Sequence, residues 1–236
     1  MGEGRKSLVD VVVDDVLDRI LRGDIEPHSM LPTEVDIARE VRVSRLTVRE
    51  AMKVLKSQNI VETRRGLGTF ANPPRSWTGL EAVMRVASQK SDSGQIALRL
   101  LEVRRMVEVG AAELAASHRS REDLDAMGVA IQQMEAAHRV ADVDALTSAD
   151  IAFHDTILHA SANPFVPALL GQLSPLLVAA RRETSAFPQV QEHAIRHHKL
   201  IRDAIASAAP DKARKTMEEH INQTYADYQR FISPAR

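Results

Sequence analysis

Beyond residue 79 the apolar residues of this 236-residue chain return at steps of three and four, and no run alternates convincingly at a period of two. Leu98, Leu101, Met106, Val109 and Leu114 form one such series. That period lays side chains along one face of an α-helix, whereas a half-buried strand needs strict alternation. Breaks fall near Ser91–Gly94, Ser117–Arg121, Ala141–Asp144, Asn163-Pro164, Phe187-Pro188 and Ala209-Pro210. The segment therefore reads as an all-α antiparallel helical bundle. Aromatic residues are 3% of the chain against 44% hydrophobic, so its core must be built from Ala, Leu, Val and Ile. The absence of cysteine excludes disulfides, thiolate-held zinc, iron–sulfur clusters and thiol catalysis together. No uncharged apolar run approaches the ~18–20 residues of a membrane span. Asp10, Asp14 and Asp15 interrupt the place where an export signal would lie. A cytoplasmic protein with no membrane partner is expected.

The best linker candidate is Asn72-Pro73-Pro74-Arg75-Ser76, because paired prolines stop regular structure. The expected organisation is a domain over 1–72, a linker over 73–78 and the helical domain over 79–236. Charge is uneven across it. Residues 39–65 hold eight basic side chains against three acids, although the whole chain carries a net charge of -1. A local positive stripe on a neutral chain suits a polyanion, though a solvated helix face has the same composition.

Within the first domain, Val12, Val13, Val16, Leu17, Ile20 and Leu21 define an amphipathic helix from Val9 to Leu21 that Gly23 ends. Pro32 or Thr33 can open a second helix through Val41, and Ser44 can cap a third from Arg45 to Gln58. The third helix turns Val48, Met52 and Leu55 inward and presents Arg45, Thr47 and Arg49 outward. Two short strands follow around the basic tip Arg64-Arg65-Gly66-Leu67. Two helices joined by a tight turn and followed by a hairpin wing make a winged helix-turn-helix. The N-terminal side chains of such a third helix reach base edges in the major groove, where arginine can bond guanine twice.

The run from Ile25 to Phe70 resembles the winged-helix domain of GntR-type bacterial transcription regulators, which carry Pro-Gly before LPSE, then VSRxxVREALxxLxxxG and a basic GxGTF wing. Here these segments read LPTE, VSRLTVREAMKVLKSQN and GLGTF. The resemblance implies that Arg45, Thr47 and Arg49 read bases or phosphates, that Ser44 supports them, and that Arg65 and Gly66 form the wing tip. Three departures stand out. His28 and Asn59 replace usual glycines, and Val35 replaces an arginine that touches DNA in many members.

The nine histidines all lie beyond residue 27. Asp150 and His154, four apart, share a helix face. His198 lies on a stripe with Ala194, Ile201 and Ile205, and His220 is in line with Met217, Thr224 and Phe231. Three imidazoles and one carboxylate on three helices suit a divalent metal, zinc first, with nickel or manganese as alternatives. A histidine on an apolar stripe is also an ordinary hydrogen-bonded core residue. Moreover His193 and His197 form another four-residue pair, so spacing alone leaves the third ligand open.

The order LLEVRRMVEVGAAELAA, DIAFHDTILHASANP, HKLIRDAIASAAPDKARKTMEEHI resembles the helical ligand-sensing FCD domain of the FadR-like GntR branch, over roughly residues 95–230. That resemblance implies Asp150, His154, His198 and His220 as the metal ligands. It also implies Arg104 as the clamp on an effector carboxylate and Asn163 as a further effector contact, although Asn163 can equally cap the turn before Pro164. A homodimeric regulator, more often a repressor, follows: double-stranded DNA with a palindromic operator as one partner, a small carboxylate or sugar acid as the other. Two alternatives remain at this stage. One is a metal-dependent enzyme, and the other is a regulator whose metal is structural or is itself the signal.

Overall fold

The computed structural model describes residues 6–90 and 93–232. The chain forms two compact units, Met1–Ser91 and Asp92–Arg236.

In the first unit Ser7 opens α1 (Leu8–Arg22) through a reciprocal cap: its hydroxyl accepts the Asp10 N–H, and the Asp10 carboxylate accepts the Ser7 N–H. Gly23 closes the helix at φ 85°, a left-handed conformation that costs glycine no Cβ clash. Of the two candidate caps for α2 (Glu34–Val41), Thr33 serves, accepting the Asp36 N–H. Ser44 caps α3 (Arg45–Ser57) by accepting the Thr47 N–H. Val48, Ala51 and Leu55 of α3 are buried against Val12, Val16, Leu17 and Ile20 of α1 and Ile37 of α2. The wing is an antiparallel pair, β1 (Val61–Arg64) and β2 (Gly68–Ala71), with Val61 opposite Ala71 and Arg64 opposite Gly68. His28 and Asn59, the two replacements for usual glycines, both adopt positive φ (70° and 54°), so the turns keep their backbone form without glycine.

Ser44→Ala removes a cap that holds the first turn of α3. It is expected to cost about 0.5–2 kcal/mol of stability. Urea unfolding followed by circular dichroism measures this, and an unchanged midpoint would show the cap to be dispensable.

The Pro-Pro segment forms only one short 3-10 turn, Pro74–Ser76. After it, Trp77 and Ala82 are buried in the core of the first unit. Helix α4 (Leu80–Lys90) carries Arg85, which pairs with Asp14 and Asp18 of α1. The helix grouped with the C-terminal domain on sequence grounds thus packs on the N-terminal unit. Its apolar face has a partner on α1, and the paired prolines redirect the chain without separating it.

The second unit comprises α5 (Ser93–His118), α6 (Arg121–Arg139), α7 (Val143–Ala160), α8 (Phe165–Gly171), α9 (Ser174–Thr184), α10 (Pro188–Ala206) and α11 (Pro210–Asp227), then a π-helical turn, Tyr228–Ile232. The expected break near residues 91–94 lies partly outside the described residues. Helix α5 packs along α11 and α7, α6 along α7 and α10, and α10 along α11. Ala111, Ala112, Ala115 and Ala116 of α5 are buried, and their small side chains let the neighbouring helices come close. Phe153 of α7 lies fully buried among Met127, Ile157, Ile201 and Met217. Among the described residues no helix is long and apolar enough to cross a membrane.

Candidate functional site

The first unit presents its basic side chains on α3 and on the wing. Arg45 and Arg49 are exposed on the first two turns of α3, and Thr47 is half-buried between them. Ser44 is occupied locally: its hydroxyl lies 2.8 Å from Thr47 Oγ1 and 3.0 Å from the Thr47 amide nitrogen. Arg49 Nε is 3.6 Å from Glu34 Oε2, a loose pair on the surface. At the wing Arg64 is tied down, pairing with Glu62 at 2.5 Å and stacking its guanidinium 4.4 Å from the Phe70 ring centre. Arg65 is exposed at the tip, beside Gly66 at φ 75°. Ser44, Arg45, Thr47, Arg49, Arg65 and Gly66 therefore all lie on two elements of one unit, the capped start of α3 and the hairpin tip. Exposed guanidiniums at a helix N-terminus, where the amides and dipole also carry positive charge, form a phosphate-attracting surface.

In the second unit α7, α10 and α11 bring His154, His198 and His220 together. One ring nitrogen from each lies within 4.8 Å of the others, and all three residues are buried. Phe153 stacks on the His198 ring at 4.2 Å between centres and sets its plane. Asp150 Oδ1 lies 3.4 Å from His198 Nε2 and 4.0 Å from His154 Nε2. The expected ligand set is thus assembled in one place, whereas His193 and His197 stand outside the three-histidine group. Among the described residues, His198 Nε2 and His220 Nε2 are buried without a hydrogen-bond partner. A buried polar atom left unpaired costs about 1–3 kcal/mol, so these nitrogens fit lone-pair donors to an ion better than packing groups. Burial is the first cause that pushes all three imidazoles below the ordinary histidine range. Neighbouring positive charge adds to it: Arg181 and then Arg104 beside His154, and Arg104 beside His220. They are neutral at pH 7, the form that binds a metal.

Two residues at this centre escaped the sequence reading. Glu108 of α5 takes Arg104 on both oxygens (2.8 and 3.2 Å) and places Oε2 2.8 Å from His154 Nδ1. Arg181 of α9 pairs with Asp150 Oδ2 and reaches Glu108 Oε1 at 3.3 Å. Burial alone would raise both carboxyls. Arg181 chiefly holds Asp150 below the usual carboxylate range, and Arg104 chiefly does so for Glu108. With neutral histidines, the two guanidiniums and two carboxylates balance. A carboxylate against a ligating imidazole is a common way of fixing ring orientation. The signal for Glu108 was present, four residues after Arg104 on an otherwise apolar face.

A narrow cleft of about 30 Å³ lies beside this centre, lined by Arg104, Asp150, Arg181 and His220 and by polar side chains of α10 and α11. As it stands the cleft has room for about one water molecule, so a larger ligand needs its lining side chains to move. Arg104 is at the cleft, as expected of a carboxylate clamp, but its guanidinium is engaged by Glu108. Asn163 is not at the cleft. It is exposed ahead of α8, and its Oδ1 accepts the Phe165 N–H at 3.1 Å. The turn-capping alternative accounts for it, because Pro164 needs a partner for the next free amide and the short Asn163 side chain supplies it.

Comparison with known proteins gives two family matches. Residues 8–71 match the gntR family of bacterial regulatory proteins. Residues 99–223 match the FCD domain. The chain is 31% identical over 209 residues to the HTH-type transcriptional regulator LutR of Bacillus subtilis, covering 86% of this chain and 92% of that protein. It is 28% identical to the galactonate operon transcriptional repressor of Escherichia coli, covering 87% and 90%. A solved structure of a GntR protein from Streptococcus agalactiae superposes with a TM-score of 0.51 at 25% identity, over 92% of this chain and 99% of that one.

Proposed function

Because this chain belongs to the GntR family of bacterial regulatory proteins and carries an FCD domain, and is therefore a DNA-binding transcription regulator and not an enzyme, we propose that a small carboxylate or sugar acid at a metal-bearing cleft sets its operator binding. One observation carries the reading: the three buried imidazoles of His154, His198 and His220, with Asp150 beside them, converge where Arg104 borders a cleft. Asp150, His154, His198 and His220 would hold a divalent ion, zinc first, which supplies a Lewis-acid contact for one ligand oxygen. Arg104 would take the carboxylate with two parallel hydrogen bonds, exchanging its present partner Glu108 for the ligand. That exchange gives the effector a different affinity for the two arrangements of the helical unit, without which it could shift nothing.

At the other end, Arg45, Thr47 and Arg49 would enter the major groove from a start fixed by Ser44, with Arg65 and Gly66 of the wing on the backbone. A homodimer places two such units on a palindromic operator with one symmetry axis. Met106 and Phe165, each 75% exposed, supply apolar surface in the second unit. The galactonate operon repressor among its relatives supports repression as the direction, and a DNA partner would place the protein in the cytoplasm. A coupling of about 1–3 kcal/mol would change operator affinity roughly 5- to 150-fold.

The test is a melting-temperature screen of purified, metal-analysed protein against small carboxylates and sugar acids, with and without chelator. An acid that raises the melting temperature only with metal present, and not in Arg104→Ala, is the expected result. The double variant His154→Ala/His220→Ala should lose its metal while keeping its helices. Full occupancy in that variant would place the ion elsewhere. DNA affinity that follows zinc and ignores every acid would make the metal the signal.

A further inference from the structure

The cleft has a second polar pole, away from the histidine group. Asp227, buried at the end of α11, faces His193 of α10, with its two oxygens 2.9 and 3.1 Å from Nδ1. Gln223, one turn earlier, donates from Nε2 to Asp227 Oδ1 at 3.0 Å. The carboxylate commits Nδ1 and orients the ring, which leaves Nε2 to hydrogen-bond another group. His193, Gln223 and Asp227 line the same cleft as Arg104, Arg181 and His220. Thr184 and Thr224 add hydroxyls to the wall. A neighbouring cavity shares Arg104 and Arg181 but is walled by Ala97, Leu100, Leu101, Leu177 and Ala180. An acid anchored at Arg104 therefore has two directions in which to extend, one apolar and one lined with hydrogen-bonding groups.

We propose that His193, oriented by Asp227 and Gln223, is a specificity-determining residue that forms a hydrogen bond with an effector hydroxyl, so that the effector class is a hydroxylated acid and not an alkyl acid. This rests on the reading in which Arg104 and the metal hold the effector's carboxylate. The contrast between the two walls is what selects the hydroxylated class. Aliphatic side chains that line the second cavity need no ligand to satisfy them. The ordered His193 ring, by contrast, has one nitrogen committed to Asp227 and one left to pair. An alkyl tail laid against that pole would strip water from it and return nothing. A site built to hydrogen-bond a hydroxyl rejects the analogue lacking it far more strongly than an apolar pocket rejects one added hydroxyl.

The experiment uses the metal-loaded full chain and three probes: lactate, which offers a carboxylate with no distal group, hexanoate, and gluconate together with its C2–C4 epimers. Dissociation constants come from titration calorimetry. The expected result is that at least one six-carbon hydroxy acid binds about tenfold or more tighter than lactate and than hexanoate. His193→Leu should remove that advantage and leave lactate binding within about twofold. Asp227→Asn should lower the advantage by acting through the His193 ring, and Gln223→Ala provides the same comparison if the Asp227 variant fails to fold. Hexanoate binding at least as tightly as every hydroxy acid overturns the proposal while the carboxylate reading stands. An unaltered preference in His193→Leu overturns it as well. If lactate and all the others fail to bind, the carboxylate reading itself fails, and the proposal falls with it.

Discussion

Arg181→Ala is expected to lower the melting temperature of the metal-free helical unit by roughly 6–20 °C, from about 3–5 kcal/mol of lost stability. The guanidinium holds Asp150 and touches Glu108, and all three are buried. Its removal leaves the Asp150 carboxylate in the core without its main counter-charge. The sign with pH follows. Asp150 is depressed below its ordinary range when Arg181 is present, so its stabilising contribution is complete above the unfolded carboxyl range and is lost as pH falls towards the folded one. The gap between wild type and variant should narrow in acid for the same reason. Zinc at neutral pH should raise the variant's melting temperature more than the wild type's, since a divalent ion beside Asp150 replaces the missing charge. Calorimetry on both proteins, with chelator and with zinc, gives the comparison. Equal melting temperatures in chelator would show that the pair adds nothing net.

Arg45→Ala combined with Arg49→Ala should weaken operator binding by at least about thirtyfold at fixed salt, since each specific base contact is worth about 1–3 kcal/mol. Both side chains are exposed on α3 and neither packs in the core, so circular dichroism should be unchanged. Single variants sort their roles. A guanine reader loses sequence discrimination at one position, whereas a phosphate contact weakens all sequences alike and lowers the salt slope by about one. Wild-type affinity in the double variant would remove α3 from the groove. Gel-shift titrations at two salt concentrations measure both quantities.

Much of this molecule was legible in its sequence because local rules and tertiary packing agree. Ser44, Gly23 and the three-to-four spacing of Val48 and Leu55 each act within a single turn of helix, and the structure follows them to within a residue or two. The meeting of His154, His198 and His220 beside Asp150 was legible for a related reason: Asp150 and His154 are neighbours on one helix, and the family order supplies His198 and His220. The counter-charges were harder to see. Arg181 and Arg182 are adjacent and chemically identical. Yet Arg181 is buried against Asp150, while Arg182 is exposed and pairs with Asp144. Only helix α9's rotation against α7 decides which is which, and nothing local encodes it. Asn163 shows the opposite limit, since the same short side chain could cap a turn or face a ligand, and the local hydrogen bond took it. The placement of α4 depends on Arg85 finding Asp14 of α1, a partner 71 positions away in the chain.

Trp77 has a consequence for observing this protein at work. It is the only tryptophan in the chain, it is buried in the N-terminal unit, and its indole N–H donates to the Asn72 carbonyl at 2.9 Å. The cleft beside the histidine group, in the other unit, contributes no indole emission. Light collected from Trp77 is therefore an intrinsic, label-free channel for the DNA-binding unit alone. A saturating acid that leaves the emission spectrum untouched acts without disturbing the core around the indole. A spectral shift timed against stopped-flow mixing would give the rate at which news of the ligand crosses from one unit to the other.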